Sequence, residues 1–259
     1  MTANEEKQTE LITEYFQKQF YKDAEKIPII NPCPMRTPFT AEETQKAANK
    51  MKDGTSPGVE GTTKEMIKYG PPKVFEEISN ILNEIAETGI SPKELTQGLI
   101  TPLQKPGKPK GPISNLRPIT LLSTLRKLLA ICLCNRTNDR IDQEIPIQQA
   151  AYRKGRSTTE HVFATKLIIE RIMSTENEKV HLLLLDMSKA FDTIKRKTLI
   201  LELQKILEPD KIHLYVKLLD VKLAVKCGNT TGFFSIQTLE GHKGIAPAQK
   251  TSPFILPKP

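Results

Sequence analysis

Apolar positions over the first third of this chain recur at helical spacing. Leu11, Ile12, Tyr15, Phe16 and Phe20 predict a helix with an apolar side within residues 1–26. Ile27 to Pro38 holds four prolines and reads as an extended linker. Thr40, with Glu43 three residues on, forms a capping box for a helix to about Lys52, and Asp53-Gly-Thr-Ser-Pro-Gly58 breaks it. Val74, Phe75, Ile78, Ile81, Leu82 and Ile85 make the clearest stripe, a helix from Pro72 to Thr88 that Gly89 stops. Ser91-Pro92-Lys93-Glu94 then starts a short helix, with a serine cap and a capping-box glutamate.

Further on the pattern mixes strands with helices. Leu99 to Leu103 reads as a strand, and KPGKPKGP from Lys105 to Pro112 as an exposed basic loop, since its prolines exclude helix and central strand. Leu125, Leu128, Leu129, Cys132 and Leu133 line a helix from about Ser123, and Ser157 with Glu160 caps another to about Thr175. Two helices follow, about Thr198 to Leu207 and Lys211 to Leu219, then a hairpin pattern between Val221 and Leu239 around Gly228 to Gly232. Between these blocks lies Val180 to Leu185, apolar except for His181, and then Asp186. The run is too short to span a membrane and suits a strand buried on both faces. A carboxylate at the mouth of such a strand is costly to desolvate unless a metal ion or basic side chain meets it. After it Ser188 can cap a helix with Ala190, Phe191 and Ile194 on its apolar faces. The plain alternative is a buried strand whose terminal acid caps the next helix.

Charge adds a partner to this outline. Lys and Arg number 38 against 30 Asp and Glu, a net charge of +8, which fits a polyanion. From Thr96 to Asn138 there is no acid, while Lys105, Lys108, Lys110, Arg117, Arg126, Lys127 and Arg136 all fall inside, which favours a nucleic-acid or triphosphate surface. Cys33, Cys132, Cys134 and Cys227 form no C-x-x-C pair, so zinc is disfavoured and free buried thiols are expected. The polar, acidic N-terminus is no signal peptide and no apolar run is long enough for a bilayer. The chain is expected in the nucleus or cytoplasm, not secreted and not in a membrane.

The motif Asp186-Met-Ser-Lys-Ala190-Phe191-Asp192, directly after four leucines, resembles the first palm motif of reverse transcriptases, especially those of non-LTR (LINE-type) retrotransposons. SPGVEG at Ser56 to Gly61 resembles the same family's approach segment, with Val59 and Glu60 where Pro and Asp are usual. ITPLQKPGKPKGPISNLRPITLL resembles its fingers motif, and QQAAYRKGRSTTEHVF resembles its Q-x-G-F-R-x-G-R-S-T segment, with Ala151 and Tyr152 replacing Gly and Phe. Their order along residues 40–195 matches the family. No Walker-type or Rossmann glycine pattern supports an unrelated phosphate-binding α/β protein.

The resemblance implies an α+β right-hand polymerase fold of fingers and partial palm, with an incomplete antiparallel palm sheet and no thumb. It divides the chain into an N-terminal helix and linker (1–39), a helical approach segment (40–95), fingers (96–178) and partial palm (179–259). The reaction it implies is dNTP transfer to a primer 3′-hydroxyl on an RNA template, using two magnesium ions about 4 Å apart. Asp186 would be the catalytic carboxylate and metal ligand, the Met187 carbonyl a further ligand beside the nucleotide, and Phe191 the gate that excludes a ribose 2′-hydroxyl. Phe191 reads equally well as an ordinary core aromatic. Arg117 matches the arginine that grips the triphosphate, a bidentate role suited to guanidinium. Lys105 would touch nucleotide phosphate, and Lys108 and Lys110 nucleic acid, although each also reads as part of a solvated loop. Arg153, Lys154 and Arg156 would track template backbone.

Two parts of the family pattern are missing from these residues. There is no Asp-Asp pair of the Tyr-x-Asp-Asp motif, and Gly244 to Pro253 loses the central Gln and Gly of the motif that precedes it. The two functional readings are therefore a reverse transcriptase fragment and a non-catalytic nucleic-acid-binding remnant. The first is the expectation by descent; the second is the expectation for what these residues do alone.

Overall fold

The computed structural model describes residues 3–21, 27–28, 30–175, 179–187, 194–228 and 230–234. Eight helices and four strands are found there: α1 (Ala3–Tyr21), α2 (Ala41–Lys50), α3 (Lys64–Lys68), α4 (Lys73–Thr88), β1 (Gln97–Gln104), β2 (Leu116–Leu122), α5 (Thr124–Glu144), α6 (Thr158–Thr175), α7 (Arg196–Ile206), α8 (Pro209–Leu219), β3 (Lys222–Cys227) and β4 (Thr230–Phe234). This is a mixed α/β architecture around one four-stranded sheet, in the order β2-β1-β3-β4.

Local signals set the helix ends. Thr40 accepts the Glu43 N–H while the Glu43 carboxylate takes the Thr40 N–H, a complete capping box on α2. Gly89 terminates α4 in the left-handed region at φ 69°. A Cβ there would also meet Pro32 Cγ at 2.6 Å, so only glycine fits. Ser123 caps α5, and the Ser157 hydroxyl accepts the Glu160 N–H at 3.3 Å at the start of α6. The segment after Ser91 differs from expectation. Residues Lys93–Thr96 form a 3-10 turn with Pro92 at its cap and no side-chain cap bond, because β1 begins at Gln97 before an α-turn can propagate.

Two cores flank this framework. One joins α2, α4, α5, α7 and α8 through Ala47, Phe75, Leu82, Leu128, Ile200 and Leu214, with Phe39 from the linker. In the other, α1 lies across one face of the sheet, Phe16 packing on Ile100, Leu122, Leu223 and Val225. Gly232 permits that approach: a Cβ there would come within 2.4 Å of Thr13 Oγ1. Two expectations are corrected. The sheet is not purely antiparallel, for β1 and β3 pair in parallel from Gln97 with Lys222 to Ile100 with Val225. The long, mostly helical connection between them supplies the crossover a parallel pair requires. The second correction is larger. Residues 179–187 form no strand and no buried element; Leu183 and Leu184 stand 83 % and 90 % exposed. A strand exists only where neighbours take its N–H and C=O groups. Here β1 already has β2 and β3 on its two edges, and no described strand pairs with 180–185.

Candidate nucleic-acid interface

The basic loop is the tip of the β1–β2 hairpin. The two strands pair antiparallel from Gly98 with Leu122 to Gln104 with Leu116, setting Arg117 opposite Leu103. The loop is braced from within. Lys105 N–H donates to Asn115 O at 2.8 Å, Gln104 Nε2 to Lys108 O at 3.1 Å, and Asn115 Nδ2 to Pro109 O at 2.9 Å. Lys105 spends its ammonium on Ser114 O at 2.5 Å. Lys108, Lys110 and Arg117 remain exposed on this hairpin.

Its base is fixed by the approach segment. Thr124 N–H, in the first turn of α5, donates to Glu60 Oε1 at 2.7 Å, and Thr124 Oγ1 donates to Thr62 O at 2.6 Å. A carboxylate at a helix N-terminus is favoured by the unpaired amides there. Gly58 lies against the β2–α5 junction, where a Cβ would sit 2.6 Å from Ser123 N. Downstream, buried Lys64 ion-pairs with Asp53, and Lys68 reaches the same carboxylate at 3.4 Å. Two segments more than fifty residues apart in sequence therefore build one corner.

The acid-free run does not form a single charged face. Arg126 is buried, and its guanidinium donates to Leu95 O at 2.7 Å, Leu218 O at 2.6 Å, and Lys217 O and Asp220 O at 3.2 Å each. Burial pushes its pKa down to about 9. Arg136 holds Glu43 through Nε to Oε1 at 2.7 Å and Nη2 to Oε2 at 2.6 Å, stacks 4.3 Å over the Phe39 ring, and donates to Pro38 O at 2.8 Å. Lys127 is partly buried, and that desolvation lowers its pKa. Arg126 and Arg136 tie the helical layer together, and their donors are spent on the fold. Arg126 falls three residues before Leu129, on the apolar side of α5; that misplaced charge was the signal available in the sequence.

The second basic segment divides likewise. Arg153 makes five contacts: Nε to Asp142 Oδ1 at 2.8 Å, Nη2 to Oδ2 at 2.9 Å, and three more to the carbonyls of Asp142, Ile145 and Pro146. That matches its full set of N–H donors, so the side chain is committed to the turn after α5. Arg156 ion-pairs with Glu160, while Lys154 is exposed.

Residues 103–243 of the chain match the reverse transcriptase (RNA-dependent DNA polymerase) family. The chain belongs to the reverse transcriptase family. It is 30 % identical over 197 residues to a probable RNA-directed DNA polymerase from transposon BS of Drosophila melanogaster, which covers 75 % of this chain and 21 % of that protein. To the RNA-directed DNA polymerase from mobile element jockey of Drosophila funebris it is 27 % identical over 180 residues, 68 % of this chain and 19 % of the relative. To the Pol polyprotein from the type-1 retrotransposable element R2 of Popillia japonica it is 27 % identical over 173 residues, 65 % of this chain and 22 % of the relative. The chain thus spans about a fifth of the length of these relatives, as a reverse transcriptase domain of the LINE type.

In this reverse transcriptase domain Asp186 and Met187 are exposed, Met187 73 % so, like the leucines before them. Phe191 lies outside the described residues. Among the described residues no three His, Cys, Asp or Glu side chains are grouped so as to hold a metal ion. A magnesium ion takes six oxygens in near-octahedral array, and a two-ion centre needs several converging carboxylates. Asp186 alone does not meet that requirement, so the described residues do not fit the metal centre expected from the motif. No helix among them is long and apolar enough to cross a membrane.

Proposed function

We propose that this chain is the fingers and partial palm of a retrotransposon RNA-directed DNA polymerase, and that its own contribution is to grip nucleotide and nucleic-acid phosphates. The observation that carries the reading is the braced hairpin, which displays Lys108, Lys110 and Arg117 with no acid on either strand. Arg117 would make bidentate, charge-assisted bonds to a triphosphate, and the two lysines would meet nucleic-acid backbone. Glu60 and Gly58 hold the hairpin's base at the start of α5. In domain terms, residues 1–39 form the N-terminal helix and linker, 40–95 the approach segment, 96–178 the fingers and 179–259 the partial palm. The natural partners are RNA template, DNA primer and dNTP, and the compartment is nuclear or cytoplasmic.

The family generally uses divalent metal ions, and magnesium with Asp186 among its ligands is the finer reading. Among the described residues no group of His, Cys, Asp or Glu side chains gathers around Asp186 to hold such an ion. That same observation favours binding without catalysis for the isolated chain. The test is salt-dependent binding of the chain to an RNA–DNA primer-template, beside magnesium-dependent primer extension. Binding should weaken steeply with salt, and K108E/K110E should weaken it further while no extension occurs. Unchanged affinity in K108E/K110E would refute the binding role. Extension lost in Asp186→Asn would show that the chain is catalytic alone.

A further inference from the structure

Two prolines face each other across the basic hairpin. Pro102 of β1 pairs with Pro118 of β2, and neither has an N–H to give. The phase of the ladder explains why both are tolerated. Lys105 N–H donates to Asn115 O at 2.8 Å, and Leu103 with Arg117 and Thr101 with Ile119 continue that register. Opposed residues in an antiparallel ladder alternate between exchanging hydrogen bonds and not. Thr101 and Leu103 therefore turn their polar groups toward β2, while Gly98, Ile100, Pro102 and Gln104 turn theirs to the far edge of β1. On β2, Pro118 and Thr120 likewise turn theirs away from β1. Each proline leaves the hairpin's own ladder intact and removes a donor from one of its outer edges.

The four-stranded sheet ends where that happens. β3 pairs with β1 through Gly98 and Ile100, the outward donors before Pro102, and the pairing stops at Ile100 with Val225. Lys226 and Cys227 come next on β3, and among the described residues they pair with Thr231 and Thr230 of β4 and not with β1. β1 itself runs on with β2 to Gln104 and Leu116. Beyond Ile100 the hairpin is thus a two-stranded arm. It carries apolar side chains in water, Leu103 50 % and Ile119 42 % exposed. An arm of that kind with unguarded edges is a template for another strand.

We propose that Pro102 and Pro118 are paired strand stops. Pro102 keeps β3 off the inner edge of the arm, and Pro118 keeps the outer edge from pairing with a second copy of this chain. The arm's backbone then bonds across itself, and the basic loop stands beyond the end of the four-stranded sheet. Two prolines sixteen positions apart acquire one role from their register. The stops belong to the fold of the hairpin, and they operate whether or not its loop binds phosphate.

The first test needs no variant. In amide hydrogen exchange of the full 259-residue chain, read by NMR, Thr101, Leu103, Arg117 and Ile119 should exchange about tenfold more slowly than Gln104 and Thr120. A Thr120 amide as protected as that of Ile119 would mean that the outer edge is already paired, and would overturn the outer stop. Pro102→Thr restores a donor aimed at β3, and that new amide should exchange about tenfold more slowly than Gln104. Exchange as fast as in an unstructured chain would overturn the inner stop. Pro118→Thr restores a donor to the outer edge, and sedimentation velocity should show a concentration-dependent dimer where wild type is a monomer. Pro118→Thr with Thr120→Pro moves the proline two residues along the same edge and should return the monomer. A P118T chain that stays monomeric, or a dimer that survives in P118T/T120P, would overturn the outer stop.

Discussion

Arg153 and Asp142 form a fork-on-fork pair, two parallel hydrogen bonds of 2.8 and 2.9 Å, that folds the turn after α5 back onto the end of that helix. The Arg153 hydrogen bonds hold the Asp142 carboxyl below the usual carboxylate range. A guanidinium so occupied is not available to template phosphate. Arg153→Ala should therefore leave the salt slope of RNA binding unchanged while exposing residues 146–156 to faster limited proteolysis. Arg153→Lys should not restore protection, since an ammonium cannot make the paired bonds. Lys154→Ala is the contrast, expected to flatten the slope. A flattened slope in Arg153→Ala would return this residue to the binding surface.

Arg126 is a buried cation whose guanidinium is held by backbone carbonyls. It bonds backbone carbonyls at the end of the 3-10 turn and at the C-terminal end of α8, joining the helical layer to the start of β3. Helix C-terminal carbonyls carry negative partial charge, so a cation there is favourable once its desolvation is met. Arg126→Met keeps the volume but leaves those carbonyls without their donor. We expect a loss of about 3 kcal/mol in urea unfolding. A change below about 1 kcal/mol would mean that the carbonyls find other partners.

What was legible in the sequence was local. The Thr40–Glu43 box, the Gly89 stop and the Ser157 hydroxyl on the Glu160 N–H each depend on residues within a turn of one another, and each took the form their spacing predicts. The hairpin near Gly228 was legible for the same reason. The parallel pairing of Gln97 with Lys222 was not, because no short-range pattern encodes a partner so distant in the chain. Charge was the least reliable guide. Arg126 and Arg136 sit in the same acid-free run as Lys108 and Lys110, yet burial converts the first two into structural clamps. The motif around Asp186 identified the family while misplacing the segment, since composition fits a buried strand but pairing partners decide whether one forms.

His213 gives the fold a pH limit. It is fully buried on α8, beside Gly89 and Pro32, with no hydrogen-bond partner for either ring nitrogen among the described residues. Burial, with Lys217 adding repulsion, pushes its pKa down to about 4. Below about 6.5 the unfolded chain takes up a proton that the folded chain refuses, so stability falls as pH drops from about 6.5 to about 4 and is level above. The expected loss is about 3 kcal/mol across that window. His213→Leu should remove this part of the dependence in urea unfolding at a series of pH values. An identical pH profile in that variant would assign the acid sensitivity to carboxylates such as Glu43, which Arg136 holds below its ordinary range.

Leu184 separates the two accounts of the motif segment. In a buried palm strand, Leu184→Glu would place an unpaired carboxylate in a core and cost several kcal/mol. With the side chain 90 % exposed, as it is here, the same change should alter unfolding free energy by no more than about 0.5 kcal/mol. It should also lower binding of a hydrophobic dye, because Leu182 to Leu185 and the Val162, Phe163, Leu167 and Ile168 side chains of α6 leave apolar surface open to water. Urea unfolding and dye fluorescence on the single variant Leu184→Glu measure both. A large destabilisation would show that in solution the leucines are packed as a strand and that Asp186 stands at the mouth of a core. An unchanged stability with weaker dye binding would leave Asp186 in an open segment, with no buried sheet to aim its carboxylate.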